Sequence, residues 1–229
     1  MPIFKQKNEN FFKKWSPEMA YVLGFFTADG NMIKNKRGAH FIEFQITDKD
    51  LLEDIKEALG SNHKISTRRK NVLNKKWKDA YRLQIGSKQI FNDLLKLGLT
   101  PNKSKTIDLP HIPDKYFSHF VRGYFDGDGN VVSGYFNRCD RKNKAYVLAT
   151  RFTSGSGLIL DNLKNNLSRL LGTTGSSHYK DNTWRLNYSI NDSKKLFKFM
   201  YSSFKNNLFL ERKYDKFCKG VKLLETYSS

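Results

Sequence analysis

The chain has 229 residues, and its 41 Lys+Arg against 22 Asp+Glu leave a formal net charge of +19 at pH 7. With 38% hydrophobic and 14% aromatic residues it can bury a core, which excludes wholesale disorder, and its longest apolar run (20–26) is too short to span a membrane. The opening MPIFKQKNENFFKKW lacks the apolar segment of a secretory signal, and two distant cysteines, Cys139 and Cys218, point to an intracellular, reducing compartment rather than a disulfide framework.

The first predicted helix opens with Ser16 as N-cap, Pro17 at its first position and Glu18 on the positive end of its dipole, and Gly30 breaks it. Strands follow at MIKNKR, HFIEFQIT, HKISTRR and AYRLQIG, each alternating partly between apolar and polar residues. That pattern describes an antiparallel sheet with one covered face and one wet face. Between them, DKDLLEDIKEALG places apolar residues near i, i+3, i+4 and i+7, an amphipathic helix. A third helix closes the unit, and a segment with three prolines, residues 99–114, follows it.

The same order then repeats. AYVLGFFTADGN (20–31) aligns with HFVRGYFDGDGN (119–130), sharing Val22/Val121, Gly24/Gly123, Phe26/Phe125 and Asp29-Gly30-Asn31/Asp128-Gly129-Asn130, 99 residues apart. FIEFQIT (41–47) corresponds to VLATRFT (147–153). Amphipathic segments end at Leu59-Gly60 and Leu171-Gly172, and YRLQIGSKQIFNDLLKLG matches WRLNYSINDSKKLFKFMY. Asp114, after Pro113, can cap the second copy of the first helix, and Gly129 breaks it. The reading is an α+β chain of two pseudo-symmetric αββαββα halves: residues 1–98, a linker at 99–114, and residues 115–229.

Each repeated helix carries small residues four apart, Gly24 and Ala28, then Gly123 and Gly127, a stripe through which two helices can approach closely. If they pack on each other, their last turns bring Asp29 and Asp128 side by side. Two ionised carboxylates at that separation repel unless one takes a proton or a cation intervenes, and a hard divalent ion such as Mg²⁺ suits oxygen donors. Basic bursts at KNKR (34–37), RRK (68–70), KKWK (75–78) and RKNK (141–144) would singly be solvated loops. Together with the overall charge they point to nucleic acid as partner.

FVRGYFDGDGNV and YVLGFFTADGNM resemble the two motifs of the single-chain LAGLIDADG homing endonucleases, and the likeness runs from about residue 15 to about residue 218. The second motif is close; the first departs at Thr27, where the family often has Asp. The resemblance implies a monomer whose two saddle-shaped antiparallel sheets straddle duplex DNA, with the motif helices packed between them. It implies site-specific double-strand cleavage, with Asp29 and Asp128 holding Mg²⁺ (Mn²⁺ or Ca²⁺ in its place in vitro), each serving one active site. By position it carries the family's basic residues onto Lys103 and Lys213, and its polar strand residue onto Gln45, with Arg151 in that place in the second half. Base reading would fall to outward strand residues: Asn31, Lys34, Lys36, Arg37, His40, Arg68 and Arg82 in the first half. In the second they are Asn130, Ser133, Tyr135, Asn137, Arg138, Arg151, His178 and Arg185. Because these sets differ, the expected target is long and asymmetric.

Other chemistries fit less well. Pro113-Asp114 with Asp140-Arg141-Lys142 only superficially resembles a restriction-type carboxylate–lysine set, since Asp114 reads as a helix cap. The five histidines have no partners at zinc-binding spacing, and no P-loop occurs. The alternatives on the same scaffold are a non-cleaving DNA-binding regulator and a maturase for a host intron RNA. An intein is not expected, because the chain opens on a Met-led segment rather than a splice-junction nucleophile.

Overall fold

The structure, a computed structural model, describes residues 5–68, 79–137, 144–202 and 208–226. In chain order its elements are α1 (Pro17–Asp29), β1 (Gly30–Lys34), β2 (His40–Ile46), α2 (Lys49–Ala58), β3 (Ser66–Arg68), β4 (Ala80–Gly86) and α3 (Lys88–Lys96). After a 3₁₀ turn at Lys103–Lys105 come α4 (Asp114–Asp128), β5 (Gly129–Phe136), β6 (Ala145–Ser154), α5 (Gly157–Leu171), β7 (Ser176–Lys180), β8 (Thr183–Tyr188), α6 (Ile190–Tyr201) and α7 (Glu211–Thr226). Two four-stranded antiparallel sheets result, ordered β1-β2-β4-β3 and β5-β6-β8-β7. The α+β class and the two similar halves are as the repeat predicts. Among the described residues no helix is long and apolar enough to cross a membrane.

The chain divides into two compact units. One takes residues from Met1–Lys103, Pro110–Gly127 and Asn206–Leu208; the other takes them from Ser104–Leu109, Asp128–Lys205 and Phe209–Ser229. In the first, Met32, Ile42, Phe44, Leu83 and Ile85 line the inner face of the sheet, against Leu52 and Ile55 of α2 and Ile90 and Leu94 of α3, all buried. The α1 rings Phe25 and Phe26 meet Phe44 at 6.4 and 5.1 Å. In the second unit Val131, Leu148, Phe152 and Leu186 face Ile159, Leu163 and Leu167 of α5, Leu196 and Met200 of α6, and Phe217 of α7.

Local signals explain most boundaries. Ser16 Oγ accepts from the Met19 amide at 3.1 Å, and Ser87 Oγ caps α3 by accepting from the Ile90 amide at 3.0 Å. The strand expected through Arg37 stops at Lys34, because Asn35 Oδ1 accepts from the amides of Arg37 (3.0 Å) and Ala39 (2.8 Å) and turns the hairpin. Asp114 is the first residue of α4, not the residue before it, and puts its acid on the positive end of the dipole. An element absent from the expected order is α7. Its Tyr214, Phe217 and Val221 recur at helical spacing, and the helix packs on the second sheet, where Tyr146 Oη donates to the Gly220 carbonyl at 2.8 Å.

Candidate nucleic-acid interface

The expected helix pairing is present within the first unit. A Cβ on Gly24 would lie 2.1 Å from the Phe120 carbonyl oxygen, and one on Gly123 would lie 2.0 Å from that of Tyr21. No residue but glycine permits that approach of α1 to α4. One turn on, a Cβ on Gly127 would meet Ala28 Cβ at 2.5 Å and Asp29 Cβ at 3.7 Å, and Asp128 is the next residue in the chain. Polar side chains lock the same seam: Tyr21 Oη donates to Asp126 Oδ2 at 2.7 Å, and the Arg122 guanidinium lies 5.4 Å from the Tyr21 ring centre. Arg122, 1% exposed, donates from Nε to the Leu208 carbonyl (3.1 Å) and from Nη2 to His119 Nδ1 (3.1 Å). Arginine can only donate, so His119 is neutral with its proton on Nε2. Burial first, and then the adjacent Arg122 charge, push its pKa down to about 4.

Asp29 and Asp128 are the last residues of α1 and α4. A carboxylate there sits on the negative end of the helix dipole, a locally unfavourable place for an acid unless a cation compensates. In the first unit one cation is already drawn in: Lys103, 7% exposed, donates from Nζ to the Gly30 carbonyl and lies 5.6 Å from the Phe26 ring centre. In the second unit the carbonyl one residue earlier, that of Asp128 itself, accepts from Thr153 Oγ1 at 2.7 Å. Among the described residues no three His, Cys, Asp or Glu side chains converge as a metal cluster. The donors offered at each helix end are carboxylate and carbonyl oxygens, a hard set that fits a divalent cation of the Mg²⁺ type and no soft metal. Lys213 lies in the first turn of α7, half-buried, with its amide bonded to the Leu210 carbonyl at 2.9 Å.

Strand register sorts the remaining candidates by face. Asn31 pairs with Glu43, Glu43 with Gln84, Gln45 with Arg82, and Arg68 with Ala80, so these residues share the face away from α2 and α3. They are bonded to one another there: Gln84 Nε2 donates to Glu43 Oε2 at 3.0 Å, Arg82 Nη1 lies 3.6 Å from the same oxygen, and Arg68 Nη1 donates to Gln45 Oε1 at 3.3 Å. In the second sheet Asn130, Arg151, Asn187, Arg185 and His178 share the open face. Asn187 bridges two of them, accepting from Arg151 Nε at 2.7 Å and donating to His178 Nδ1 at 3.1 Å.

Four candidates lie on the other face. His40 has the phase of Ile42 and Phe44, and its ring meets Phe91 of α3 at 4.7 Å. Lys34, paired with His40, shares that phase at an exposed strand end. Ser133 and Tyr135 have the phase of buried Val131; Ser133 lies against Gly220 of α7, and the Tyr135 ring meets Tyr146 at 5.2 Å. Lys36, Arg37 and Asn137 are exposed beyond the strand ends, and Arg138 lies outside the described residues. The register also corrects one correspondence. Gly30 pairs with Phe44 and Gly129 with Phe152, so Thr153 occupies the place of Gln45, and Arg151 occupies that of Glu43. Glu43, Gln84, Thr153 and Asn187 were not among the expected residues; continuing the alternation two steps from Arg82 or Arg185 reaches Gln84 and Asn187.

Comparison with known proteins agrees with this geometry. The LAGLIDADG-like domain family matches residues 16–98. The uncharacterized proteins MJ0398 and MJ0314 of Methanocaldococcus jannaschii are 29% and 28% identical over 122 and 120 residues, 52% and 51% of this chain. Those stretches are 41% and 43% of the relatives, so the match spans less than half their length. Among solved structures, the I-SmaMI LAGLIDADG homing endonuclease bound to cleaved DNA superposes with a TM-score of 0.62 at 16% identity, covering 94% of this chain and 91% of that one. The LAGLIDADG meganuclease I-AabMI bound to uncleaved DNA gives 0.62 at 16%, covering 93% of each chain. The I-LtrWI LAGLIDADG homing endonuclease bound to target DNA gives 0.60 at 15%, covering 96% and 92%. At such identities the likeness is one of fold.

Proposed function

We propose, from the LAGLIDADG-like domain of residues 16–98 and the homing-endonuclease fold of the whole chain, that this protein is a site-specific double-strand DNA endonuclease. One observation carries the reading: α1 and α4 interlock through Gly24 and Gly123, and both end on an acid, Asp29 and Asp128. Neither aspartate helps its own helix, so a role outside local stability accounts for both. The open face of each sheet, rich in Arg, Asn and Gln, supplies donors and acceptors suited to base edges. The +19 charge supplies the attraction to phosphate.

In this reading Asp29 and Asp128 each hold a divalent cation and each serve cleavage of one strand. When bound, the cation lowers the pKa of a coordinated water and offsets charge on the leaving oxygen. The chain's own groups do the rest. Lys103, drawn onto the Gly30 carbonyl beside Asp29, places a fixed positive charge near the developing phosphorane. Gln45 and Arg68 on one sheet, and Arg151 and Asn187 on the other, hold the duplex in register.

The test is cleavage of a randomised duplex library with Mg²⁺, the cut ends being sequenced, beside Asp29→Asn, Asp128→Asn and the double variant. The expected result is a discrete set of ends that the double variant loses while still binding DNA, with each single variant slowed on at least one strand. Normal cutting of both strands by both single variants would refute the site assignment. Enrichment by binding with no ends, even in the unaltered protein, would show a DNA-binding regulator instead.

A further inference from the structure

Arg82 and Arg185 occupy the same place in their halves. Arg82 of β4 pairs with Gln45 of β2 and Ser66 of β3, and Arg185 of β8 pairs with Thr153 of β6 and His178 of β7. Both lie on the open face, one residue before a buried leucine, Leu83 or Leu186. Each has a carboxylate beside its guanidinium: Glu43 Oε2 lies 3.6 Å from Arg82 Nη1, and Asp181 Oδ2 accepts from Arg185 Nη2 at 2.8 Å.

The two acids come from unrelated places. Glu43 stands on the neighbouring strand β2, where the second half has Arg151. Asp181 is in the β7–β8 turn, in the left-handed region at φ 52°. The same arginine is thus supplied with an acid in both halves although the repeat does not conserve the source. On a face that must meet a polyanion, a carboxylate costs attraction to phosphate. What it gains is a fixed plane for the arginine. Glu43 is itself held, 8% exposed and accepting from Gln84, so a fixed carboxylate stands beside the Arg82 guanidinium before any ligand arrives. A guanidinium fixed in plane suits the paired acceptors O6 and N7 of guanine, whereas a phosphate contact needs no such restraint.

We propose that Glu43 and Asp181 are positioning residues that set Arg82 and Arg185 for guanine recognition, so that each half-site of the target contains one guanine read by an acid-held arginine. The inference rests on the endonuclease reading, and its test separates the two. The target is first defined by library selection with the full chain. Each position is then scanned with Arg82→Lys, Arg185→Lys, Glu43→Gln and Asp181→Asn, all checked for unchanged thermal unfolding.

Arg82→Lys should lower the preference for guanine at one base pair by about tenfold or more, in line with the discrimination a bidentate pair supplies. Glu43→Gln should relax the same base pair several-fold. Arg185→Lys and Asp181→Asn should act together on one base pair of the other half-site. The profile elsewhere should not move, which a purely structural role for the acids would not produce. Should Glu43→Gln unfold the protein, the Asp181→Asn and Arg185→Lys pair still decides the matter. The proposal fails if acid and arginine variants relax different base pairs, if the base read is not guanine, or if affinity falls evenly over all sequences. A wild-type library with no enriched sequence overturns the endonuclease reading and the inference with it.

Discussion

The close seam between α1 and α4 makes Gly123→Ala a demanding test of the fold. A methyl group at Gly123 would lie 2.0 Å from the Tyr21 carbonyl oxygen and 2.9 Å from the Phe25 amide nitrogen, both backbone atoms of α1. Neither can rotate away as a side chain would, so the helices must part by on the order of 1 Å to restore van der Waals contact. Parting them stretches the Tyr21–Asp126 hydrogen bond and loosens Arg122 from the Tyr21 ring. Overpacking of this kind costs about 1–3 kcal/mol, or more against backbone, while alanine regains about 1 kcal/mol of helix propensity. The expected net loss is about 2 kcal/mol. With a urea m-value of about 2 kcal/mol/M, the unfolding midpoint should fall by about 1 M. Gly24→Ala makes the mirrored clash, 2.1 Å from the Phe120 carbonyl oxygen. Once one methyl has opened the seam the second finds room, so the double variant should lose less than the sum of the singles. A midpoint unchanged or raised in either single variant would mean that the helices do not approach as described.

Three further outcomes are expected. Affinity for any duplex DNA should fall by about 10³-fold or more between 50 and 200 mM salt if about six or more phosphates are contacted, and a shallow slope in a fluorescence titration would count against a DNA partner. His119 is held neutral with its pKa down at about 4, so its contribution to stability is complete above about pH 6.5 and is lost as pH falls toward 4. Over that window the stability of the wild type relative to His119→Gln should decline by up to about 1.4 kcal/mol per pH unit, and parallel curves would show that His119 is not buried beside Arg122. Ser16→Ala removes the cap on the Met19 amide and should cost about 1 kcal/mol in thermal unfolding, whereas no loss would show that α1 is held by packing alone.

The sequence revealed the parts of the fold that rest on local chemistry: the Ser16 cap, the small-residue stripes and the repeat that places Asp29 and Asp128 at equivalent helix ends. Strand phase was harder, for an identifiable reason. In β1 the apolar neighbours Met32 and Ile33, and in β5 Val131 and Val132, hide which residue faces the helices, so Ser133 and Tyr135 pass for outward residues in the sequence. His40 passes for outward because Phe41 and Ile42 are both apolar, and the inward phase shows only from Ile42 onward. The slip that set Arg151 in the place of Gln45 was one of two residues. A two-residue shift keeps a side chain on its own face, which is why Arg151 still lies with Asn130 and Asn187. The helix α7 has no counterpart in the repeat, which sets no element after α6, although Tyr214, Phe217 and Val221 have helical spacing.

Register equivalence carries the argument about target symmetry further than composition can. Glu43 and Arg151 hold the same place, each opposite an asparagine of the first strand, Asn31 or Asn130, and an amide of the fourth, Gln84 or Asn187. One is acceptor-only and the other donor-only. Identical half-sites would offer the same base edge at this place, and of the two residues only Arg151 can donate to it. Arg82 and Arg185, by contrast, are the same residue in the same place and ask for the same base. Under the endonuclease reading the favoured target is therefore asymmetric where Arg151 reaches it, since the first half has the positioning acid Glu43 in that place, and alike where the two acid-held arginines do. Exchanging the residue in the second half tests this directly: Arg151→Glu should change the base preferred at one pair of that half-site and leave the pair read by Arg82 as it was, and an unchanged profile would show that this place does not read bases.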